Sequence, residues 1–416
     1  MHLVIHSEAT LMATYAECLA ALPDFRNDLL RERSFAQPEV AHAFAFSPRG
    51  AFAAFATPLA NVHATGVGIR YKNGEYVPGE HVIKVFVFDK VEGDVPGIPS
   101  TYGDNGRIPV DVEHLPIQAI RAVRKRAHTG KSRGGVKKRR AKKVDSADAQ
   151  TVFAGAAAAL ATPQALPAQR DRIRPIVAGV SISPLNANFV GTLGCYLRRL
   201  NVDTEEIFVL SNNHVLADVD RLPQGTPIVQ PGPEVPPFLT DPQNVFATLH
   251  TSIPIQFPSS SAQPVFNRFD AAIANVTNGQ IIQLGSMFGM IKAGQPNPNN
   301  APLYDPGRVV SPEPDMRVMK MGRTTGFTRG RITATNVQGV EVNYGTPQFP
   351  RIAVFRGVTV IVGDGGNPFS LPGDSGSVVL EEATGHPVAL LYAGDGVKTM
   401  ACDLGVLCQQ LGAWPV

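Results

Sequence analysis

The sequence has no run of about 18 apolar residues, the length that a membrane-spanning helix requires. Its first residues, Met1 to Glu8, carry neither the basic region nor the long apolar region of a secretory signal peptide. It contains only four cysteines, Cys18, Cys195, Cys402 and Cys408, which we expect to be buried thiols rather than a disulfide framework. Together these absences predict a cytoplasmic protein without a transmembrane segment.

Motifs for metals and phosphates are also missing. No Cys/His cluster has the spacing of zinc ligands, and no Walker-type Gly-rich loop occurs. Gly66-Val67-Gly68 lacks the third glycine of a dinucleotide fingerprint, and a hairpin pattern follows it where that fingerprint needs a helix. We therefore expect no metal and no cofactor.

The sequence is rich in turn-forming residues. The 416 residues include 35 prolines and 39 glycines, and 44% are hydrophobic, which suits many short strands around a sizeable core. Helical periodicity over residues 8–33 and a hairpin over 65–90, with its turn at Asn73-Gly74, predict a small α/β domain at 1–120. A basic and then Ala/Pro-rich linker follows at 121–170, and a mostly β domain at 171–416.

The positive charge is concentrated in one segment. Residues 121–143 hold twelve Lys and Arg and no Asp or Glu, so the rest of the chain is net acidic. Three interpretations remain open: a solvated flexible linker, a phosphate-binding segment for nucleic acid or an anionic surface, and an exposed proteolytic processing site.

A single tight turn carries the strongest signal for chemistry. In Pro372-Gly373-Asp374-Ser375-Gly376 the serine is flanked by glycines and followed by an apolar strand. Such a turn exposes one hydroxyl and lets backbone N–H groups converge on one point, as an oxyanion site requires. Taken alone it is also a common turn sequence, and Ser370 and Ser377 are alternative hydroxyls.

Two other stretches provide the partners of a serine nucleophile. His214 ends the apolar run Ile207–Ser211, and Asp270 precedes the apolar run Ala271–Ala274. A serine needs a histidine base, and the histidine needs a carboxylate that fixes its tautomer. The chain order His214, Asp270, Ser375 differs from the orders of subtilisins and α/β-hydrolases.

With these motifs the sequence resembles the trypsin-like (chymotrypsin-fold) serine peptidases, in their disulfide-free intracellular bacterial and plant narrow-leaf-like branch. The resemblance rests on Ser211–Val215, Phe269–Ala272, Pro372–Ser377 and the stretch 319–330, and it covers about residues 175–410. Secreted relatives carry a cysteine after the histidine, whereas this chain has Val215. The resemblance implies a mostly β fold of two six-stranded antiparallel barrels with the catalytic triad between them.

The resemblance also implies roles for further residues. The backbone N–H groups of Gly373 and Ser375 would form the oxyanion hole. Phe369 would form the floor of the primary substrate pocket and Tyr392-Ala393-Gly394 its wall, which favours small or apolar side chains. In zymogen relatives a freed amine, here at Ile176, pairs with the aspartate before the nucleophile; the sequence leaves the partner of Asp374 open.

We predict a serine endopeptidase that acts on protein or peptide substrates through an acyl-enzyme on Ser375. A further hypothesis makes it a regulated effector restrained by residues 1–120. The alternative from another class is a non-catalytic peptide-binding scaffold with a nucleic-acid-binding basic linker. The natural substrate, the trigger and the oligomeric state are not predicted.

Overall fold

The structure is a computed structural model that describes residues 12–36, 61–89, 95, 97–103, 106–120, 123–124, 168–199, 206–234, 240–258, 265–346 and 348–416. Its helices are α1 (Tyr15–Ala36), α2 (Asn213–Leu216) and α3 (Leu404–Leu411). Its strands are β1 (Val62–Lys72), β2 (Glu75–Val87), β3 (Thr101–Tyr102), β4 (Ile108–His114), β5 (Gln118–Ile120), β6 (Val123–Arg124), β7 (Ile176–Ala178), β8 (Ser181–Pro184), β9 (Phe189–Thr192), β10 (Cys195–Arg199), β11 (Ile207–Ser211), β12 (Pro227–Val229), β13 (Val245–Ser252), β14 (Phe266–Asn267), β15 (Ala272–Val276), β16 (Ile282–Met287), β17 (Ile291–Lys292), β18 (Leu303–Tyr304), β19 (Arg317–Gly322), β20 (Gly326–Gln338), β21 (Val340–Asn343), β22 (Ile352–Phe355), β23 (Val358–Gly363), β24 (Val378–Glu381), β25 (Pro387–Gly394), β26 (Lys398–Asp403) and β27 (Ala413–Pro415). No helix within these ranges has the length and apolar character needed to cross a bilayer.

The second half of the chain forms a closed barrel of six antiparallel strands. Hydrogen bonding runs from β19 to β20, β23, β26, β25 and β24 and returns to β19. Closure leaves these strands no free edge within the ring. A buried apolar cluster that includes Val318, Ile361 and Leu391 packs this barrel. The predicted mostly β fold is confirmed here.

The strands before it form a half-barrel. The order β10-β11-β15-β13-β12-β8 is antiparallel throughout, and no ladder joins β8 to β10 among the described residues. The sequence predicts two barrels; the first is open because β8 turns into β9 instead of pairing with β10. The turn that holds Ser375 precedes β24 of the second barrel and contacts β9, where the Thr192 N–H donates to the Ser375 carbonyl. The residues around Ser375 therefore lie between the half-barrel and the closed barrel.

The N-terminal part adds its own layer. The predicted hairpin is confirmed as β1 and β2, with Asn73 and Gly74 at its tip, and the predicted helix as α1, although residues 8–11 lie outside the described ranges. The helix packs on this hairpin through a second apolar cluster that includes Cys18, Leu22 and Phe25. Together the helix and the hairpin form one layer ahead of the barrels in the chain.

The hairpin is not separate from the second barrel, because β1 pairs with β20. A Cβ on Gly66 would lie 2.9 Å from the Thr335 carbonyl, and one on Gly68 would lie 2.3 Å from the Thr333 carbonyl. These glycines therefore allow two backbones to approach closely. The predicted division at 120 and 170 stays a prediction, since most of the linker lies outside the described ranges, as do residues 40–60.

A buried ion cluster joins the same two parts. Lys84 of β2 is fully buried and donates to Glu113 of β4, and Lys398 of β26 donates to the other Glu113 oxygen at 2.9 Å. Lys398 also donates to the His114 carbonyl at 2.7 Å. The cluster thus connects the N-terminal strands to the barrel through one carboxylate.

Candidate active site

His214 and Asp270 are brought together by strand pairing. β11 and β15 are antiparallel neighbours, and their register pairs Ser211 with Ala272, so the residues just beyond Ser211 and just before Ala272 lie at the same end of the sheet. The side-chain amide of Asn212 donates to the Asp270 carbonyl at 2.7 Å and fixes the two ends to each other. This places the predicted base and its predicted carboxylate in contact.

The contact has the geometry of an oriented imidazole. His214 Nδ1 lies 2.5 Å from Asp270 Oδ2, and the His214 backbone N–H donates to Asp270 Oδ1 at 3.2 Å. Both side chains are buried. A carboxylate on Nδ1 holds the proton there and leaves Nε2 with its lone pair free to accept one.

Tyr344 is a further member of this group. Its hydroxyl donates to Asp270 Oδ2 at 2.8 Å, and burial together with the Asp270 charge raises the pKa of Tyr344 well above its usual range, so the phenol keeps its proton. The sequence analysis missed this residue because it follows β21 in an ordinary strand pattern without any local motif.

Ser375 lies at the contact between the two halves. The Thr192 N–H, at the end of β9, donates to the Ser375 carbonyl at 2.8 Å. Gly376, at φ +90°, has no room for a side chain, since a Cβ there would lie 2.0 Å from Ser211 Oγ. The glycine after the serine is therefore required for the turn to pack against the first half.

Ser375 Oγ and His214 Nε2 are both buried and neither has a hydrogen-bond partner in the described part of the chain. His214 is therefore hydrogen-bonded to Asp270, but Ser375 Oγ is not hydrogen-bonded to His214 Nε2. Catalytic hydrogen bonds of this kind are often long in the absence of substrate. Of the other hydroxyls, Ser370 Oγ is paired with Thr399 Oγ1 at 2.8 Å.

The turn also leaves two backbone donors free. Gly373, at φ +101°, and Ser375 donate no backbone hydrogen bond within the described ranges, whereas the Asp374 N–H donates to the Leu371 carbonyl. Gly373 and Ser375 are the two residues predicted as oxyanion donors, and that role stays a prediction.

Asp374 has the partner that the sequence left open. Its Oδ2 lies 3.7 Å from Lys320 Nζ and accepts from Thr325 Oγ1 at 2.7 Å and from the Leu371 N–H at 2.9 Å. Its Oδ1 accepts from the Thr324 N–H at 2.8 Å. With both oxygens bonded, the turn needs no freed amine from Ile176.

Lys320 is fully buried on β19, and burial lowers its pKa while the Asp374 charge opposes that shift. The sequence carried a signal for it, since a lysine interrupts the apolar run Val318–Met321. A charged residue inside a buried strand needs a partner of opposite charge.

The predicted pocket residues are all buried. Phe369 belongs to the apolar cluster of the second barrel, and Tyr392 stacks on Phe355 with ring centroids 4.9 Å apart. Ala393 and Gly394 end β25 and pair with Ile120 and Ala119 of β5. Their role in a substrate pocket stays a prediction, but their pairing shows that the β25 edge accepts an extended chain.

No group of three or more His, Cys, Asp or Glu side chains in the described ranges is arranged to hold a metal ion. All four cysteines are free and buried. The basic segment 121–143 lies outside the described residues apart from Val123 and Arg124, so its nucleic-acid or surface-binding role stays a prediction.

No protein-family model and no curated protein matches the chain. Solved structures do. Thermobifida fusca Protease A is 15% identical with a TM-score of 0.37, and the alignment covers 58% of this chain and 98% of that chain. Cellulomonas bogoriensis chymotrypsin has the same values, and the Nocardiopsis protease is 16% identical with a TM-score of 0.36, covering 58% and 98%.

Proposed function

We propose that this protein is a serine endopeptidase of the disulfide-free branch that the sequence resembles, acting inside the cell. The observation that carries the proposal is the buried His214–Asp270 pair beside a serine turn with two unengaged backbone donors. Four free buried thiols fit a reducing compartment.

The reaction follows from these groups. Ser375 Oγ attacks the carbonyl carbon of a peptide bond while its proton passes to His214 Nε2, and Asp270 stabilises the imidazolium. The N–H groups of Gly373 and Ser375 hold the oxyanion. His214 then protonates the leaving nitrogen, and water attacks the Ser375 ester with His214 as base, releasing a carboxylate and restoring the hydroxyl.

Labelling with a fluorophosphonate tests the proposal, because only an activated serine becomes phosphonylated. We expect the probe on Ser375 of the wild type and none on Ser375→Ala. Ser183→Ala is the matched control, since it removes another buried serine hydroxyl that donates only to the Pro184 carbonyl.

Labelling that persists in Ser375→Ala would assign the nucleophile to another hydroxyl, with Ser370 and Ser377 the first to examine. A wild type that stays unlabelled would favour the non-catalytic peptide-binding scaffold.

A further inference from the structure

The carboxylate of Asp270 accepts a hydrogen bond from the other half of the molecule. Asp270 precedes β15 of the half-barrel, whereas Tyr344 follows β21, which lies in the sheet of the closed barrel. The Tyr344 hydroxyl donates to Asp270 Oδ2 at 2.8 Å. The same oxygen lies 2.5 Å from His214 Nδ1, so one carboxylate oxygen serves both the imidazole and the phenol.

The phenol ring of Tyr344 is held by three other rings. It stacks on Phe355 of β22 with ring centroids 6.2 Å apart, and Phe257 packs on it edge to face with centroids 5.8 Å apart. The His214 imidazole also packs edge to face on it, with centroids 6.2 Å apart. Tyr344 is 2% exposed. Such contacts fix the direction of a ring and therefore of its hydroxyl.

The backbone of the β21–β22 hairpin fixes the point from which this ring projects. The Tyr344 N–H donates to the Arg351 carbonyl at 2.8 Å. Asn343 Oδ1 accepts from the N–H groups of Gly345 and Arg351 at 2.8 and 2.9 Å. A Cβ on Gly345 would lie 2.1 Å from the Phe349 carbonyl oxygen, so the two arms of the hairpin approach closely here. The hydroxyl thus comes from a closely bonded part of the hairpin.

Both oxygens of Asp270 accept hydrogen bonds. Oδ1 accepts from the His214 backbone N–H at 3.2 Å, and Oδ2 accepts from the phenol and contacts the imidazole. A carboxylate that accepts more hydrogen bonds has its negative charge better stabilised and attracts a further proton less strongly. The phenol therefore competes with the imidazolium of His214 for the charge on Oδ2. It also keeps the carboxylate from turning away from Nδ1.

The other titratable side chains that face Asp270 are neutral. Tyr392 of β25 and Cys402 of β26 are buried, and burial, together with the Asp270 charge, raises the pKa of each well above its usual range. Charged groups on the two neighbouring loops, Arg351 of the hairpin and Asp220 after α2, are exposed to solvent. The carboxylate is therefore adjusted mainly by the groups that bond to it directly.

We infer that Tyr344 is a positioning residue of this site, which holds the Asp270 carboxylate against His214 and sets the pH range in which His214 acts as a base. The inference rests on the proposed function and adds a residue to it. Tyr344 acts through Asp270 and does not touch the reacting atoms. Without its hydroxyl the protonated His214 is more stable, so the reaction needs a higher pH.

Tyr344→Phe tests this, because it removes the hydroxyl and keeps the ring. The rate of fluorophosphonate labelling of Ser375 is measured from about pH 5 to 9, since labelling requires a His214 that can accept a proton. We expect the pH of half-maximal rate to rise by about one unit, because a hydrogen bond to a charged group is lost. Well below that pH the rate should fall about tenfold, and most of the loss should be recovered at high pH.

Tyr196→Phe is the matched control. Tyr196 is also buried, and its hydroxyl donates to the Ile176 carbonyl at 2.9 Å. Both variants therefore lose one buried phenol hydrogen bond, and urea denaturation shows that each remains folded. Only Tyr344→Phe should move the pH of half-maximal labelling, because only its hydroxyl bonds to the carboxylate.

Replacing Tyr344 by 3-fluorotyrosine provides a second variant. Fluorine makes the phenol a stronger hydrogen-bond donor, so the Asp270 carboxylate should stabilise the protonated His214 less. We expect the pH of half-maximal labelling to fall below that of the wild type. Shifts in opposite directions for the two variants do not follow from a change in packing.

The contrary results are distinct. If Ser375 is labelled and Tyr344→Phe leaves the pH profile unchanged, the inference is refuted and the protease function stands. The same follows if Tyr196→Phe moves the profile equally, or if both Tyr344 variants move it in one direction. A wild type that is not labelled at any pH removes the proposed function and this role with it. Should Tyr344→Phe fail to fold, the direction of the fluorotyrosine shift decides.

Discussion

At the scale of single residues, the turn that holds Ser375 depends on a charge that lies on another strand. Asp374 precedes Ser375, and its carboxylate is fully buried beside Lys320 of β19. Burying one charge without the other is costly, so the pair orders the turn only while both members are present. The backbone donors of Gly373 and Ser375 lie on either side of this anchored residue.

We expect Lys320→Met to destabilise the protein by about 3 kcal/mol, because it leaves the Asp374 carboxylate buried without a counter-charge. Labelling of Ser375 should slow about tenfold or more as the oxyanion donors lose their support. Urea denaturation and the labelling rate measure the two effects.

The double variant Lys320→Met/Asp374→Asn separates charge from packing. It removes both charges, so most of the lost stability should return. Equal stability of wild type and Lys320→Met, or no recovery in the double variant, would show that the pair does not support the turn.

His214, Asp270 and Ser375 could be proposed as site residues at this scale, since each lies in a recognisable local sequence, and the structure places His214 against Asp270. Lys320 and Tyr344 could not be assigned, because their partners are distant in sequence. Lys320 reaches a residue 54 positions later, and Tyr344 one 74 positions earlier. Such contacts depend on which strands become neighbours, which a local pattern does not encode.

At the scale of elements, three strands meet at one carboxylate. Burial alone would raise the pKa of Glu113 on β4, but the ammonium groups of Lys84 on β2 and Lys398 on β26 outweigh it and lower that pKa to about 2. A carboxyl whose folded pKa is depressed stabilises the fold above its unfolded pKa. That contribution is lost as the pH falls from about 4.5 towards 2.

We expect Glu113→Gln to destabilise the protein by about 3–5 kcal/mol at neutral pH, because Lys398 loses its carboxylate and Lys84 keeps only Asp111, at 3.2 Å. Lowering the pH from about 4.5 to 2 should reduce the difference in the free energy of unfolding between Glu113→Gln and the wild type, since the wild-type carboxyl then becomes neutral too. Urea denaturation across this range measures it. The exposed Glu75→Gln is the control, and a difference that stays constant with pH would contradict the assignment.

The sequence pattern could not predict strand pairing between distant segments, for the same physical reason. The hairpin of β1 and β2 follows from alternation and an Asn-Gly turn, both of which are local. The pairing of β1 with β20 is not local, and the glycines that permit it also resemble part of a nucleotide motif. The sequence excludes the nucleotide motif, but only the partner strand shows why glycines stand at these positions.

At the scale of the whole molecule, the described strands β1 to β5 belong to the same sheet as the second barrel, outside its closed ring. β1 pairs with β20, β5 lies between β25 and β21, and Lys398 bonds to Glu113. The sequence predicted a small α/β domain at 1–120 from helical periodicity and a hairpin pattern, with a basic linker after it, and that division stays a prediction. It could not show that strands on both sides of that linker share a sheet.

The pairing of β5 with β25 also occupies a stretch of sheet edge. A strand tethered to its own partner strand is present at an effective concentration of about millimolar, whatever the amount of protein in solution. Any free peptide that pairs with the same residues of β25 must outcompete that local supply, so its apparent affinity falls.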